Sequence, residues 1–350
     1  MVTPNALTPT QIGDLVQTTL RDLGKPRFTE IATDLQDHLA MRNLLRKNRV
    51  ELTSGTGVQW DVMVSGSGAA QNVGIGASDN VNIVDVMTQA TADWRNSTTN
   101  YGILEQAMAM NREPARIVDY VLTRRIAAMI SLAQLMEANF FGPPPAVTDT
   151  VTPWGLKTWC TKNATEGFNG GVPSGYTTIG LNPTTYPRWN NWTYQYSSVS
   201  RDDLIRHWRT AARKTKFKPP VDGIPTFNTG DDYGFYTTLT VMQLLEEALE
   251  SQNDNLGNDL ASKDGEGMFL RVPVTWVPAL DVDTTGPVYG LNWGTFKTII
   301  LKDWWLKETH VPIYPGQHTI SAHFLDCTYQ WVARNRRDKF VLSTGTTEPS

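Results

Sequence analysis

From Asn111 to Phe141 the sequence reads as one long helix. It then meets Gly142-Pro143-Pro144-Pro145, through which no helix can continue. Pro114 suits a first turn, where its missing N–H costs nothing. Ile117, Val121, Ala128, Leu132 and Leu135 supply an apolar stripe, and Arg124 and Arg125 interrupt it near the middle. At 1.5 Å per residue, about 27 helical residues make a rod roughly 40 Å long. It is the clearest single element of the chain, and the rest of the fold has to be arranged around it.

The sequence before the rod has no evident core of its own. Met1 to Arg49 reads as an arm with two amphipathic helices. The first starts at Thr8-Pro9-Thr10-Gln11 and aligns Ile12, Leu15, Val16, Leu20 and Leu23, and Gly24-Lys25-Pro26 breaks it. The second, Phe28 to Arg46, places Ile31, Leu35, Leu39, Leu44 and Leu45 at roughly helical spacing. Neither has a local partner, so the arm is expected to pack on something distant in the sequence. Val50 to Trp94 reads as a ribbon of two strands, Val58 to Val64 and Val81 to Met87, with a Gly-rich stretch between them. An isolated ribbon is marginal in water, so it needs another surface to lie across.

After the rod, Asn182-Pro-Thr-Thr-Tyr-Pro-Arg-Trp-Asn-Asn-Trp192 packs two Trp, a Tyr and two Pro into one loop. Such a loop must bury its aromatics against its own domain or against another copy of the chain. The 12 Trp of the chain, Trp154, Trp159, Trp189, Trp192, Trp304 and Trp305 among them, point to large contact surfaces. Val147 to Val199 is otherwise loop-rich. Ser200 to Phe217 reads as a helix opened by a capping box, Ser200-Arg-Asp-Asp203, with Leu204, Ile205, Trp208, Ala211 and Ala212 inward. Gly223 to Phe227 reads as a strand and Asp232 to Ser251 as a second helix through Leu239, Met242, Leu245 and Leu249. Met268 to Val277, Val288 to Leu301 and Thr309 to Leu342 read as strands, the last broken at Tyr314-Pro-Gly316.

With 350 residues, 40% apolar and 19% charged, the chain suits one large folded domain or two ordinary ones. A net charge of -4 argues against a dedicated nucleic-acid binder. The charge is uneven, however. Arg201 to Lys218 holds seven basic and two acidic residues, and Asp231 to Glu266 nine acidic and one basic. Cys160 and Cys327 are the only cysteines, so no disulfide framework is expected. No secretion signal and no run of the roughly 20 apolar residues needed to cross a bilayer are legible.

The search for chemistry yields no catalytic site, so no enzyme and no cofactor are expected. Gly74-Ile-Gly76 lacks the third glycine of a dinucleotide loop, and Ser65-Gly-Ser-Gly is no nucleophile elbow. His310, His318, His323 and Cys327 are zinc-capable but match no common zinc spacing, and on a strand His318 and His323 face opposite ways. No metal site is expected there. The adjacent carboxylates Asp202/Asp203, Asp231/Asp232 and Glu246/Glu247 diverge on a helix and suit capping or solvation.

The order of these parts resembles the major capsid proteins of tailed bacteriophages, the Hong Kong 97 type of capsid fold. Glu113-Pro-Ala-Arg-Ile-Val-Asp-Tyr120 resembles the start of that family's spine helix. Thr185-Tyr-Pro-Arg-Trp-Asn190 resembles a family aromatic stretch, with Asn190 where Arg is often seen. Met268 to Asp281 is similar to the axial strand running into a Pro-x-x-Asp turn, and Val288-Tyr-Gly-Leu-Asn-Trp293 to the segment leading back to the peripheral domain.

The resemblance implies an α+β fold. It has an N-terminal arm (1–49), an extended hairpin loop (50–94), a peripheral domain with the spine helix (95–149), a mainly axial domain carrying the aromatic loop (150–300) and peripheral strands (301–350). It implies a structural protein that assembles with itself as hexamers and pentamers into an icosahedral shell around double-stranded DNA. Scaffolding, portal and possible decoration proteins would be partners, with no membrane contact and with the virion as its place. The ribbon has no lysine, so the covalent cross-link of some members is not expected. The short arm implies a cleaved chain or a separate scaffolding protein. Subunit contacts are expected at Trp60, Asp61, Arg124, Arg125, Tyr186, Trp189 and Trp192. The alternatives are an encapsulin-like compartment or a glycan binder using Trp189, Trp192, Trp304 or Trp305 as stacking platforms.

Overall fold

The structure is a computed structural model that describes residues 39–45, 50–68, 70–73, 84–106, 114–215, 233–250, 268–270, 272–312 and 319–346. In chain order its elements are α1 (Leu39–Leu44), β1 (Val50–Thr53), β2 (Val58–Met63), β3 (Met87–Ala92), β4 (Arg95–Leu104) and the long helix α2 (Pro114–Phe141). They continue with α3 (Leu156–Trp159), β5 (Trp192–Gln195), a π-turn at Arg201–Ile205, α4 (Arg206–Thr215), β6 (Tyr233–Thr237) and α5 (Leu239–Glu250). The last are β7 (Met268–Phe269), β8 (Val272–Trp276), β9 (Val288–Asn292), β10 (Phe296–Leu301), β11 (Lys307–Val311), β12 (Ile320–Ala333) and β13 (Phe340–Ser343). The class is α+β, as expected.

Two sheets organise the chain. The first is built on β12, which is 14 residues long. β4 pairs with it along one edge, and β11 and then β10 pair with it along the other, all antiparallel, while β1 adds in parallel to β10. The second runs in the order β5-β13-β9-β6-β8-β7. The chain crosses between them three times, from β4 to β5 by way of the long helix, at Trp293–Thr295 and in the 334–339 turn. Val288 to Leu301, expected as one strand, is therefore two strands in two sheets. Asn292 makes the break, its Oδ1 accepting from Gly294 N (3.0 Å) and its carbonyl from Thr295 Oγ1 (3.0 Å).

The long helix has the expected bounds at Pro114 and Phe141. Its buried stripe runs Val121, Ala128, Leu132, Met136 and Phe140. Leu135 is 44% exposed, because the stripe drifts to the 132/136/140 positions as a 3.6-residue period requires. The chain returns past the helix end at Gly155. A Cβ there would lie 2.5 Å from both Asn139 O and Phe140 O, so only glycine permits this approach.

Other expectations shift. The return strand of the ribbon is Met87–Ala92, not Val81 to Met87, and Val81 itself lies outside the described residues. Its inward residues are the small Ala90 and Ala92, which give a weak alternation signal. The helix expected from Asp232 begins only at Leu239. Tyr233 to Thr237 is instead an inner strand between β9 and β8, as its aromatic residues and closing Thr favour. The strand expected from Met268 is broken at Leu270, whose φ is 51°. The helix expected over Ser200 to Phe217 is present to Thr215, with all five inward residues buried. The first arm helix, Gly223 to Phe227, and the Tyr314-Pro-Gly316 break lie outside the described residues.

Candidate functional site

The base of the ribbon lies on its own subunit. Val58, Trp60, Ala90 and Ala92 are buried. The Trp60 indole meets Trp159 edge to face at 6.2 Å, and Thr91 N donates to Gly180 O (3.4 Å). Gly180 has φ +68°, and a Cβ on it would sit 3.0 Å from Trp60 Cζ2. Trp60, expected at a subunit contact, is 7% exposed within its own subunit. Asp61 points the other way and is exposed, as are Met63 and its cross-strand partner Met87.

The aromatic loop also closes on its own chain. Trp189 and Trp192 are 5% and 8% exposed, and Trp189 Nε1 donates to Ile179 O (2.8 Å). These two, expected at subunit contacts, belong to the apolar clusters of their own subunit. They are equally covered as sugar platforms. Trp304 is 40% exposed, but Lys307 Nζ sits over its ring at 4.0 Å. Tyr186 is half-buried against the core and leaves an edge outward.

Arg336 holds this loop in place. Its guanidinium is fully buried, and its partners among the described residues are carbonyl, hydroxyl and amide oxygens. Nε donates to Trp159 O (2.9 Å) and Nη1 to Trp189 O (3.2 Å). Nη2 donates to Gly171 O (2.6 Å), Thr161 Oγ1 (3.1 Å) and Asn191 Oδ1 (3.2 Å). Burial pushes its pKa down to about 10, so it remains a cation at neutral pH. Three segments distant in sequence thus converge on one side chain at the crossing between the sheets. Close by, Lys339 Nζ donates to Thr295 Oγ1 (2.6 Å), Asn335 O (2.6 Å) and Asp338 Oδ1 (2.7 Å). Lys157 and Lys162 both donate to Asp283 Oδ2 (2.9 and 2.7 Å). Burial would raise the Asp283 pKa, but these donors and Thr285 outweigh it and hold it at about 2.

The long helix carries two polar clamps. Glu137, 6% exposed, accepts from Ala40 N and Met41 N through its two oxygens, both at 3.0 Å. Thr298 Oγ1 donates to Leu44 O (3.0 Å) from β10. The described part of the arm therefore packs on distant elements, as expected. One turn after Val121, Arg125 reaches Glu308 of β11 (3.6 Å). Tyr101 OH also donates to Glu308. Tyr101, His323 and His310 form one row across β4, β12 and β11, with ring centroids 4.8 and 4.4 Å apart. Burial, then His323, lowers the His310 pKa. Burial would raise that of Glu308, but hydrogen bonds from His323 and Tyr101 hold it below the usual range. Arg125 is thus largely committed within its subunit, whereas Arg124 is exposed.

Among the described residues no three His, Cys, Asp or Glu side chains are grouped to hold a metal ion. His318 lies outside them, and the Cys327 thiol is pushed up to about 11 by burial. Asp203 is structural. Burial would raise its pKa, but Ser197 N (2.7 Å), Tyr194 OH (2.8 Å) and Ser198 N (3.0 Å) donate to it and lower it. It thus replaces the expected capping box in part, since Ser200 Oγ does accept from Asp203 N but the carboxylate turns to other donors. No described helix is long and apolar enough to cross a membrane. Sequence reasoning missed Glu137, Arg336 and Asp283. Only Glu137 carried a signal, an acid close to the apolar stripe of the long helix.

No family model matches the chain, and no curated protein does. Solved structures do, across nearly its whole length. A chain of the cyanophage A-1(L) capsid asymmetric unit is 15% identical, with 95% of this chain and 99% of that chain covered at a TM-score of 0.56. A chain of the native GTA particle capsid is 11% identical, with 92% and 95% covered at 0.56. A chain of Mycobacterium phage Adephagia is 12% identical, with 95% and 99% covered at 0.51. The fold is therefore the phage capsid fold, the architecture to which the order of sequence motifs pointed.

Proposed function

We propose that the chain is the major capsid protein of a tailed phage. It tiles an icosahedral shell as hexamers and pentamers and encloses double-stranded DNA, with scaffolding, portal and possible decoration proteins as partners. Its role is structural and not catalytic, its place is the virion, and assembly takes place in the bacterial cytoplasm. The likeness over 95% of the chain to a cyanophage capsid chain carries this reading. The shape of the subunit supports it. A ribbon that exposes Met63 and Met87 offers a face that would gain burial from neighbouring copies. Many weak contacts made at once in a closed shell multiply their effect. Asp61, Arg124 and the outer edge of Tyr186 are the expected contact residues that reach the subunit surface. Sedimentation of the chain co-expressed with its neighbouring genes tests the reading. Uniform, rapidly sedimenting particles support it, and a single slow monomer boundary under all conditions refutes it.

A further inference from the structure

Two blocks of opposite charge stand out in the sequence. Seven basic and two acidic residues lie between Arg201 and Lys218, and nine acidic and one basic between Asp231 and Glu266, in a chain of net charge -4. The helices α4 and α5 arise from these blocks and lie over the same sheet. Trp208 and Ala211 of α4 share one apolar cluster with Val241 and Leu245 of α5. Their outward sides differ in sign. Arg206, Arg209 and Arg213 recur at helical spacing on the exposed side of α4, next to Lys214, and Glu246 and Glu247 are exposed on α5. The chain pairs its other basic and acidic groups at several places, for example Arg334 with Glu51 and Lys162 with Asp283. Among the described residues, Arg206, Arg213, Lys214, Glu246 and Glu247 make no ion pair.

We propose that α4 of one copy packs head to tail against α5 of a neighbouring copy, a contact that rests on the shell-forming reading above. Two different and complementary patches suit a heterologous contact, and in the rings of the shell each copy would give α4 to one neighbour and α5 to the other. Beside the two glutamates Leu244 is 41% exposed, and the aliphatic stems of the facing arginines can cover it.

Reversing one patch tests this. Variants with Arg206→Glu, Arg209→Glu and Arg213→Glu, or with Glu246→Lys and Glu247→Lys, are compared with a chain carrying all five changes. Each one-sided reversal should lower the yield of shells at least about tenfold while the isolated subunit melts as wild type, and the five-fold swap should recover most of that loss. Wild-type shells with one-sided variants that assemble equally well overturn the contact and leave the capsid reading standing. Intact shells that have lost DNA content also overturn it, because the basic face then serves packaged nucleic acid. A wild-type chain that forms no shell removes the capsid reading and this contact together.

Discussion

Replacing Arg336 with Met removes the one side chain that joins the 159–161, 171 and 189–191 segments to the turn between the sheets. The acceptors it leaves are not equally exposed to the loss. Gly171 O keeps the Thr161 hydroxyl (3.3 Å), and Asn191 Oδ1 keeps Thr161 N (3.2 Å). Trp159 O and Trp189 O lose the guanidinium donor, in a region where both Trp side chains are buried. An unsatisfied buried carbonyl costs about 1–3 kcal/mol, and removing one side of a buried charged network about 3–5 kcal/mol. A loss of about 4 kcal/mol follows. With an unfolding entropy of about 2.1 cal/mol/K per residue, that lowers the melting temperature of a chain this long by roughly 5 °C. Differential scanning calorimetry of the isolated subunit measures it. Arg336→Lys should recover less than half, since an ammonium lacks the planar fork that reaches all three segments. Arg337→Met, one residue on and exposed, should stay within about 0.5 kcal/mol. An Arg336→Met chain that melts within about 1 °C of wild type, or an Arg337→Met chain that loses as much, refutes the reasoning.

Glu137→Gln should speed amide exchange at Ala40 and Met41 about tenfold, as a neutral amide replaces the carboxylate that now accepts from both, and leave the six-stranded sheet unchanged. The folded His310 pKa lies below its unfolded value, so its contribution to stability is full above about pH 6.5 and is lost as pH falls. Glu308, also lowered, adds a loss in the same direction at more acid pH, and His310→Gln should flatten the first part of a urea-midpoint curve run from pH 7 to pH 5. Gly180→Ala should cost about 1–2 kcal/mol from its positive φ alone, and more as the Cβ meets Trp60, seen as a lowered urea midpoint. Trp60→Ala should cost about 3–5 kcal/mol within the subunit, whereas Asp61→Lys should leave the subunit's melting unchanged and act only on assembly.

The long helix was legible because its signals are local. A proline at the first turn, an apolar stripe and a proline stop all lie within one window. The inner face of α4 was legible for the same reason. The Tyr233–Thr237 strand was not, because its place between β9 and β8 depends on segments 39 residues away or more. Trp60, Trp189 and Trp192 show the limit for the site. Sequence says that such residues must be covered but not by what, and the covering partners here are Trp159, the Ile179 and Gly180 backbone and Phe168. Arg336 was the least legible. In Arg334-Asn-Arg-Arg-Asp-Lys339 it looks like any solvated turn residue, yet it is fully buried and its exposed neighbour Arg337 is not.

If this subunit is the tile of a phage shell, cryo-electron microscopy of the purified assembly will show closed icosahedral particles whose repeating unit fits two sheets and a helix of roughly 40 Å, with the Met63 and Met87 ribbon face buried on a neighbouring copy. Particles of another symmetry, or a ribbon face left in solvent within a complete shell, would contradict it.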